Sequence, residues 1–248
     1  MPRIAISEER GVRYLHFGSR WVQGAMRLSR PDALELEYTR EMLFPLLLRT
    51  DDGWPRRVLM IGLGAASLLK FLHRHYRHTA LAVVELREDV VTAAAQFFRL
   101  PDDPDRVTIT IADGAAFVAA AGPRYDLVLV DGYDAKGRVG SLDTLAFYRH
   151  CHARVRDGGI LATNLLTRHR GVDASVDRMR QAFDGRAFAL PACASGNVVA
   201  LAVRGEPVEL AAAVLRPRAR ALREATGLNL DATLGRLARA RDLDGLAL

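Results

Sequence analysis

Sulfur chemistry has little to work with in this chain. Its two cysteines, Cys151 and Cys193, stand far apart and form neither a disulfide framework nor a zinc-ligand spacing. No run of about twenty apolar residues occurs, which argues against a membrane-spanning helix. No leader pattern of basic start, apolar stretch and small-residue cleavage site stands at the N-terminus, so the expected location is the cytoplasm. Internal repeats and low-complexity linkers are missing as well. The formal charge of +6 is mostly arginine, spread along the chain with some concentration in the C-terminal tail. That distribution suits solubility better than a nucleic-acid surface, and neither nucleic acid nor membrane is expected as a partner. His73, His75 and His78 fall together among arginines at the exposed end of one helical segment, with no second ligand cluster to converge on them. No metal site is expected.

What is present is enough for one full α/β domain with small additions, since 248 residues, half of them hydrophobic, can bury a sizeable core. Residues 1–50 begin with weakly alternating segments broken by Gly11, Gly18 and Gly24, which read as short strands and turns. Pro31 and Asp32 then open a predicted helix through Leu34, Tyr38, Met42 and Leu46, spaced as one apolar face. Residues 51–204 alternate strand and helix patterns. The strands are Val58–Gly64, Leu81–Glu85, Val107–Gly114, Leu127–Val130 and Gly158–Asn164, closed by Phe188–Leu190 and Asn197–Val203. Residues 205–248 read as two amphipathic helices broken near Gly227. Uninterrupted Leu/Val runs suit strands covered on both faces. The expected fold is therefore Rossmann-like, a mostly parallel sheet with helices on both faces and a small N-terminal β region.

In such sheets ligands sit beyond the carboxyl ends of the strands, and the candidates for chemistry stand there. VLMIGLG ends in a turn where Gly62 and Gly64 permit a tight bend and close approach to a ligand. The last glycine of the dinucleotide fingerprint is missing, so this turn alone says little. Glu85 closes the next strand some twenty residues on, where an acid can accept both ribose hydroxyls or, more blandly, cap a helix. Asp113, with Gly114 beside it, ends the third strand where an adenine amino group can donate to it. The stretch YDLVLVDGYDAKG carries Asp131 and Asp134 in an acidic turn. Two carboxylates there can hold a cation or accept a proton; alternatively Asp131 caps the turn and Asp134 is solvated.

Taken together, these segments resemble the spermidine synthase (polyamine aminopropyltransferase) family from about Trp21 to Val203. EYTREM (Glu37–Met42) looks like that family's tyrosine-bearing YxEM segment. VLMIGLG is similar to its glycine loop, VVELREDVV to its ribose-acid strand, and DPDRVTITIADGAAF to its adenine-site stretch. YDLVLVDGYDAKG, AFYRHC and GGILATN follow in the family's order. The resemblance implies a methyltransferase-type Rossmann fold and a likeness of roles. Glu85 would bind ribose, Asp113 adenine, and Gly62 and Gly64 would lie beneath the nucleoside. Asp131 matches the general base, Asp134 the acceptor for a substrate ammonium, and Tyr38 a tyrosine orienting the attacking amine. Gln23 corresponds loosely to a glutamine contacting the donor.

The implied reaction moves an aminopropyl group from decarboxylated S-adenosylmethionine, as co-substrate, to a di- or polyamine. It requires no metal and no covalent intermediate, and the resemblance implies a homodimer. Two positions depart from the family. Ala65 stands where its glycine loop carries an acid, and Cys193 stands where it tends to have a tyrosine. Two other readings stay open on these residues: methyl transfer from S-adenosylmethionine on the same fold, which Ala65 favours, and a non-catalytic nucleoside-binding homologue.

Overall fold

The computed structural model describes residues 3–18, 21–132, 140–167, 171–208 and 211–240. Its centre is a seven-stranded sheet. In chain order the strands are β4 (Arg57–Ile61), β5 (Ala80–Glu85), β6 (Val107–Ile111), β7 (Tyr125–Val130), β8 (Val155–Leu166), β9 (Ala187–Ala189) and β10 (Asn197–Val203). They are arranged β6-β5-β4-β7-β8-β10-β9. β6 through β8 run parallel, and β10 lies antiparallel between β8 and β9. The first three strands form a separate antiparallel sheet, β1 (Ile4–Glu9), β2 (Val12–Phe17) and β3 (Val22–Arg27). β1 and β2 join through Arg10 and Gly11, both at positive φ (51° and 74°), the backbone that a two-residue hairpin turn needs.

The alternation of side chains along β4 shows why its sequence is apolar throughout. Val58 and Met60 enter one core, while Leu59 and Ile61 enter the other on the opposite face. The first core is covered by α3 (Ser67–His75), α4 (Glu88–Phe97) and the N-terminal sheet. Short α1 (Glu37–Glu41), α2 (Pro45–Leu48) and the C-terminal helices α8 (Ala212–Thr226) and α9 (Asp231–Ala240) complete it. The second core is covered by α5 (Gly114–Ala119), α6 (Leu145–Arg154) and α7 (Val172–Ala182).

One expected element is different. The helix expected to open at Pro31 is instead a turn, in which Ala33 N–H donates to the Arg30 carbonyl at 3.1 Å, and helix begins only at Glu37. It also stops early. Pro45 has no N–H to offer the Glu41 carbonyl, so the chain tightens into i→i−3 bonds from Leu43 to Arg40 (3.1 Å) and Phe44 to Glu41 (2.9 Å) before α2 starts on the proline itself. Among the described residues no helix is long and apolar enough to cross a membrane.

Candidate active site

Four parallel neighbours, β6, β5, β4 and β7, end along one edge of the sheet. Gly62 follows β4, Glu85 is the last residue of β5, Asp113 follows β6 and Asp131 follows β7. Gly62 has φ +96°, and a Cβ there would stand 2.4 Å from the Asp131 carbonyl oxygen. Only glycine lets the turn after β4 and the end of β7 pass side by side. Glu85 is buried and tied to the same turn. One carboxylate oxygen accepts from Leu63 N–H at 2.9 Å, the other from Arg87 N–H at 3.0 Å. Burial pushes its carboxyl above the usual carboxylate range, and these backbone donors pull it back. An ionised carboxylate has roughly four lone-pair sites, so two backbone donors leave capacity for a diol. Asp113 caps α5, accepting from Ala116 N–H at 2.8 Å through one oxygen. Gly114 opens that helix, and a Cβ there would lie 2.4 Å from the Ile61 side chain. Close packing of α5 on β4 thus accounts for a glycine at this position.

Across the turn, α1 presents Tyr38, whose hydroxyl donates to Asp131 Oδ2 at 3.1 Å. Asn164, late in β8, donates from Nδ2 to Asp131 Oδ1 at 2.8 Å. The walls around the carboxylate desolvate it and raise its affinity for a proton, while Asn164 and Tyr38 oppose that shift. The cleft between glycine turn and Asp131 is lined by Gln23, Tyr38, Gly62, Gly64, Ala65 and Ser67 among others. A carboxylate with one donor on each oxygen, held at such a cleft, can accept a proton from a bound amine.

Ala65 is buried against β3, where a Cβ on Gly24 would come within 2.6 Å of the Ala65 Cβ. Two small residues thus let β3 dock on the glycine turn. Asp134 lies outside the described residues. The chain rejoins them at a 3-10 turn, Gly140–Asp143, where Asp143 accepts from Tyr148 Oη (2.8 Å), Ser175 Oγ (2.8 Å) and Arg178 Nη2 (2.6 Å). That anchoring gives Tyr148 of the AFY segment a structural task on the buried side of α6. His73 is hydrogen-bonded to Asp103 at 2.8 Å.

Sequence reasoning passed over Asn164, Asn197 and Ser195. Asn197 Nδ2 donates to Asn164 Oδ1 at 2.9 Å, and Ser195 Oγ donates to Asn197 Oδ1 at 2.7 Å. Cys193 Sγ stands 3.0 Å from Ser195 Oγ. The signal available in sequence was modest: an amide closing the apolar run GGILATN, beside the strand that delivers Asp131.

Comparison with known proteins points to one family. The model of the spermine/spermidine synthase domain matches residues 37–193. A polyamine aminopropyltransferase of Chromobacterium violaceum is 35% identical over 237 residues, covering 96% of this chain and 90% of that relative. The polyamine aminopropyltransferase of Neisseria meningitidis is 32% identical, covering 98% and 92%. Among solved structures, a probable spermidine synthase from Corynebacterium glutamicum superposes with TM-score 0.75 at 20% identity, covering 89% of this chain and 83% of that one. Human methyltransferase-like protein 13, in complex with SAH, superposes with TM-score 0.68 at 22% identity, covering 77% and 93%. These two show a shared fold, whereas the domain match and the two close relatives reach further: the chain belongs to the spermine/spermidine synthase family.

Proposed function

We propose that this protein is an aminopropyltransferase of polyamine biosynthesis, moving an aminopropyl group from decarboxylated S-adenosylmethionine to a di- or polyamine. The observation that carries the proposal is the position of the Asp131 carboxylate, bonded by Tyr38 and Asn164 and facing the cleft whose other wall is the Gly62–Gly64 turn. The relatives' names supply the reaction class.

In this reading Glu85 holds the ribose hydroxyls and Asp113 the adenine, with Gly62, Gly64 and Gln23 lining the nucleoside and its tail. The amine nitrogen attacks the methylene next to the sulfonium. A C–N bond forms, the C–S bond breaks, and its electron pair returns to sulfur as methylthioadenosine leaves. Asp131 takes the proton released from nitrogen, Tyr38 orients the amine, and Asp134 anchors its second ammonium by a charge-assisted bond. The sulfonium is already a good leaving group, so these residues need only deprotonate, align and exclude water.

A mass-spectrometric screen of amines against both donors tests the proposal. Methylthioadenosine and an aminopropylated amine are expected with decarboxylated S-adenosylmethionine. Methylated product from S-adenosylmethionine instead would establish the second reading, which Ala65 favours because an alanine does not repel the donor's carboxylate. The proposal extends to a homodimer, the assembly the family resemblance implies, and to a cytoplasmic location. Light scattering of the purified chain tests the first.

A further inference from the structure

We propose that Asn197 is a positioning residue for the reaction: through Asn164 it locks the orientation in which the cleft carboxylate can only accept hydrogen bonds. The inference rests on the reading of Asp131 as the base and goes beyond it to the row of groups behind it. β7 and β8 pair with Val130 opposite Thr163, so Asp131 and Asn164 come next in register. β8 and β10 pair with Asn164 opposite Val199, two residues from Asn197. Side chains alternate with period two, so Asn197 shares the face that Asn164 presents to Asp131. Both asparagines are buried.

Chemistry fixes the direction of every bond in this row. An ionised carboxylate offers no donor, so Asn164 must turn its NH₂ toward Asp131. Its Oδ1 is then left to accept from the NH₂ of Asn197. Asn197 Oδ1 in turn takes the Ser195 hydroxyl hydrogen, and with that hydrogen committed the Cys193 thiol is the donor to Ser195 Oγ. Donors therefore run one way, from Cys193 toward Asp131.

Loss of Asn197 removes the donor that favours this sense of the Asn164 amide; an amide turned the other way presents its oxygen, which bonds a protonated Asp131 and repels an ionised one. Asn197 thus selects the form of Asp131 that can accept a proton from the amine. Among the described residues the titratable side chain in contact with Asp131 is the Tyr38 phenol, from α1; β8 supplies the neutral Asn164, while β3 and β4 bring Gln23 and Gly62 to the same cleft. Asp134, on the same turn, lies outside the described residues. The row also assigns work to Cys193, which replaces a family tyrosine: it closes the relay as the last donor.

The test combines two readouts on the full chain. Carbon-13 NMR of protein labelled at aspartate Cγ, with the Asp131 resonance assigned by its loss in Asp131→Asn, gives the titration midpoint of that carboxyl. Rates of aminopropyl transfer to 1,4-diaminobutane across pH give the acidic limb of activity. Asn197→Leu keeps approximate shape and removes the amide. It is expected to move both midpoint and limb upward by about one pH unit, the scale of one hydrogen bond to a charged group. The Michaelis constant for the donor should stay within about twofold, because a positioning residue acts on the step and not on nucleoside binding. Ser195→Ala, at an exposed position, should shift both in the same direction by less, and it decides the matter if Asn197→Leu does not fold. An Asp131 midpoint unmoved in both variants overturns the proposal, whatever the rates. An Asp131→Asn enzyme that keeps the wild-type rate overturns the base reading instead, whatever the midpoints.

Discussion

Glu85 and Asp131 are both carboxylates at strand ends, yet their surroundings predict different losses when the charge is removed. Glu85 receives two backbone N–H groups, so Glu85→Gln sets an NH₂ against one of them as well as weakening the bond to a diol. Methylthioadenosine affinity is expected to fall by about 1–3 kcal/mol, with a stability loss of similar scale. Titration calorimetry and urea unfolding separate the two, and unchanged affinity would leave Glu85 a clamp on the glycine turn alone. Asp131→Asn should preserve nucleoside affinity while transfer slows by about 10²–10⁴-fold. Its rate should recover in part as pH rises, because free amine then forms without a base. Wild-type activity should have an acidic limb above the ordinary carboxylate range, since burial raises the Asp131 carboxyl. A stopped-flow pH series on both enzymes checks this. These acids were legible in the sequence because each ends an apolar run. Asn164 and Asn197 were not: an amide carries no charge pattern, and its task exists only once its neighbours are known.

At the scale of elements, α9 holds α1 through a buried ionic contact. Glu41 is fully buried and accepts from Arg236 and from Thr233 Oγ1, while Arg236 also bonds Glu37 at 2.7 Å. The other oxygen of Glu37 accepts from Ala194 N–H at 3.1 Å, so the same helix turn that presents Tyr38 is tied to both α9 and the Cys193 loop. Burial pushes the Glu41 carboxyl upward, with Thr233 and Arg236 pulling it back. Arg236→Met should strand a buried charge and cost about 3–5 kcal/mol at neutral pH. Losing the cation raises the folded-state pKa of Glu41 further. The stabilisation of a group so raised is present below its unfolded pKa and lost as pH climbs through the folded one. The deficit of the variant should accordingly be smaller at pH 5 than at pH 8 in urea unfolding. An equal deficit at both would mean that Glu41 is not the group left unpaired. Periodicity showed that the C-terminal helices are amphipathic but not what they pack on. It also carried the helix around Tyr38 through Pro45, where the missing N–H in fact divides it.

Over the whole molecule, the sheet was the most legible feature, because strands buried on both faces are written as continuous apolar runs separated by helical periods. The order of strands is visible only in the folded chain, and that order is what sets Gly62, Glu85, Asp113 and Asp131 along one edge. Such an edge belongs to the folded chain alone, so a nucleoside bound there must stabilise the fold by mass action. At a concentration 100 times its dissociation constant the gain is about 2.7 kcal/mol. For a chain of this size that corresponds to a melting temperature about 5–10 °C higher. Methylthioadenosine and decarboxylated S-adenosylmethionine should both produce the shift in differential scanning fluorimetry, whereas a polyamine alone should produce less, since it reaches only the acceptor side of the cleft. In Glu85→Gln the same shift should require a correspondingly higher nucleoside concentration, displacing the dose curve along the concentration axis without changing its logarithmic slope. If the wild-type chain melts cooperatively at one temperature with or without either nucleoside, the strand-end edge is not a nucleoside site, and the roles given to Glu85 and Asp113 fall with it.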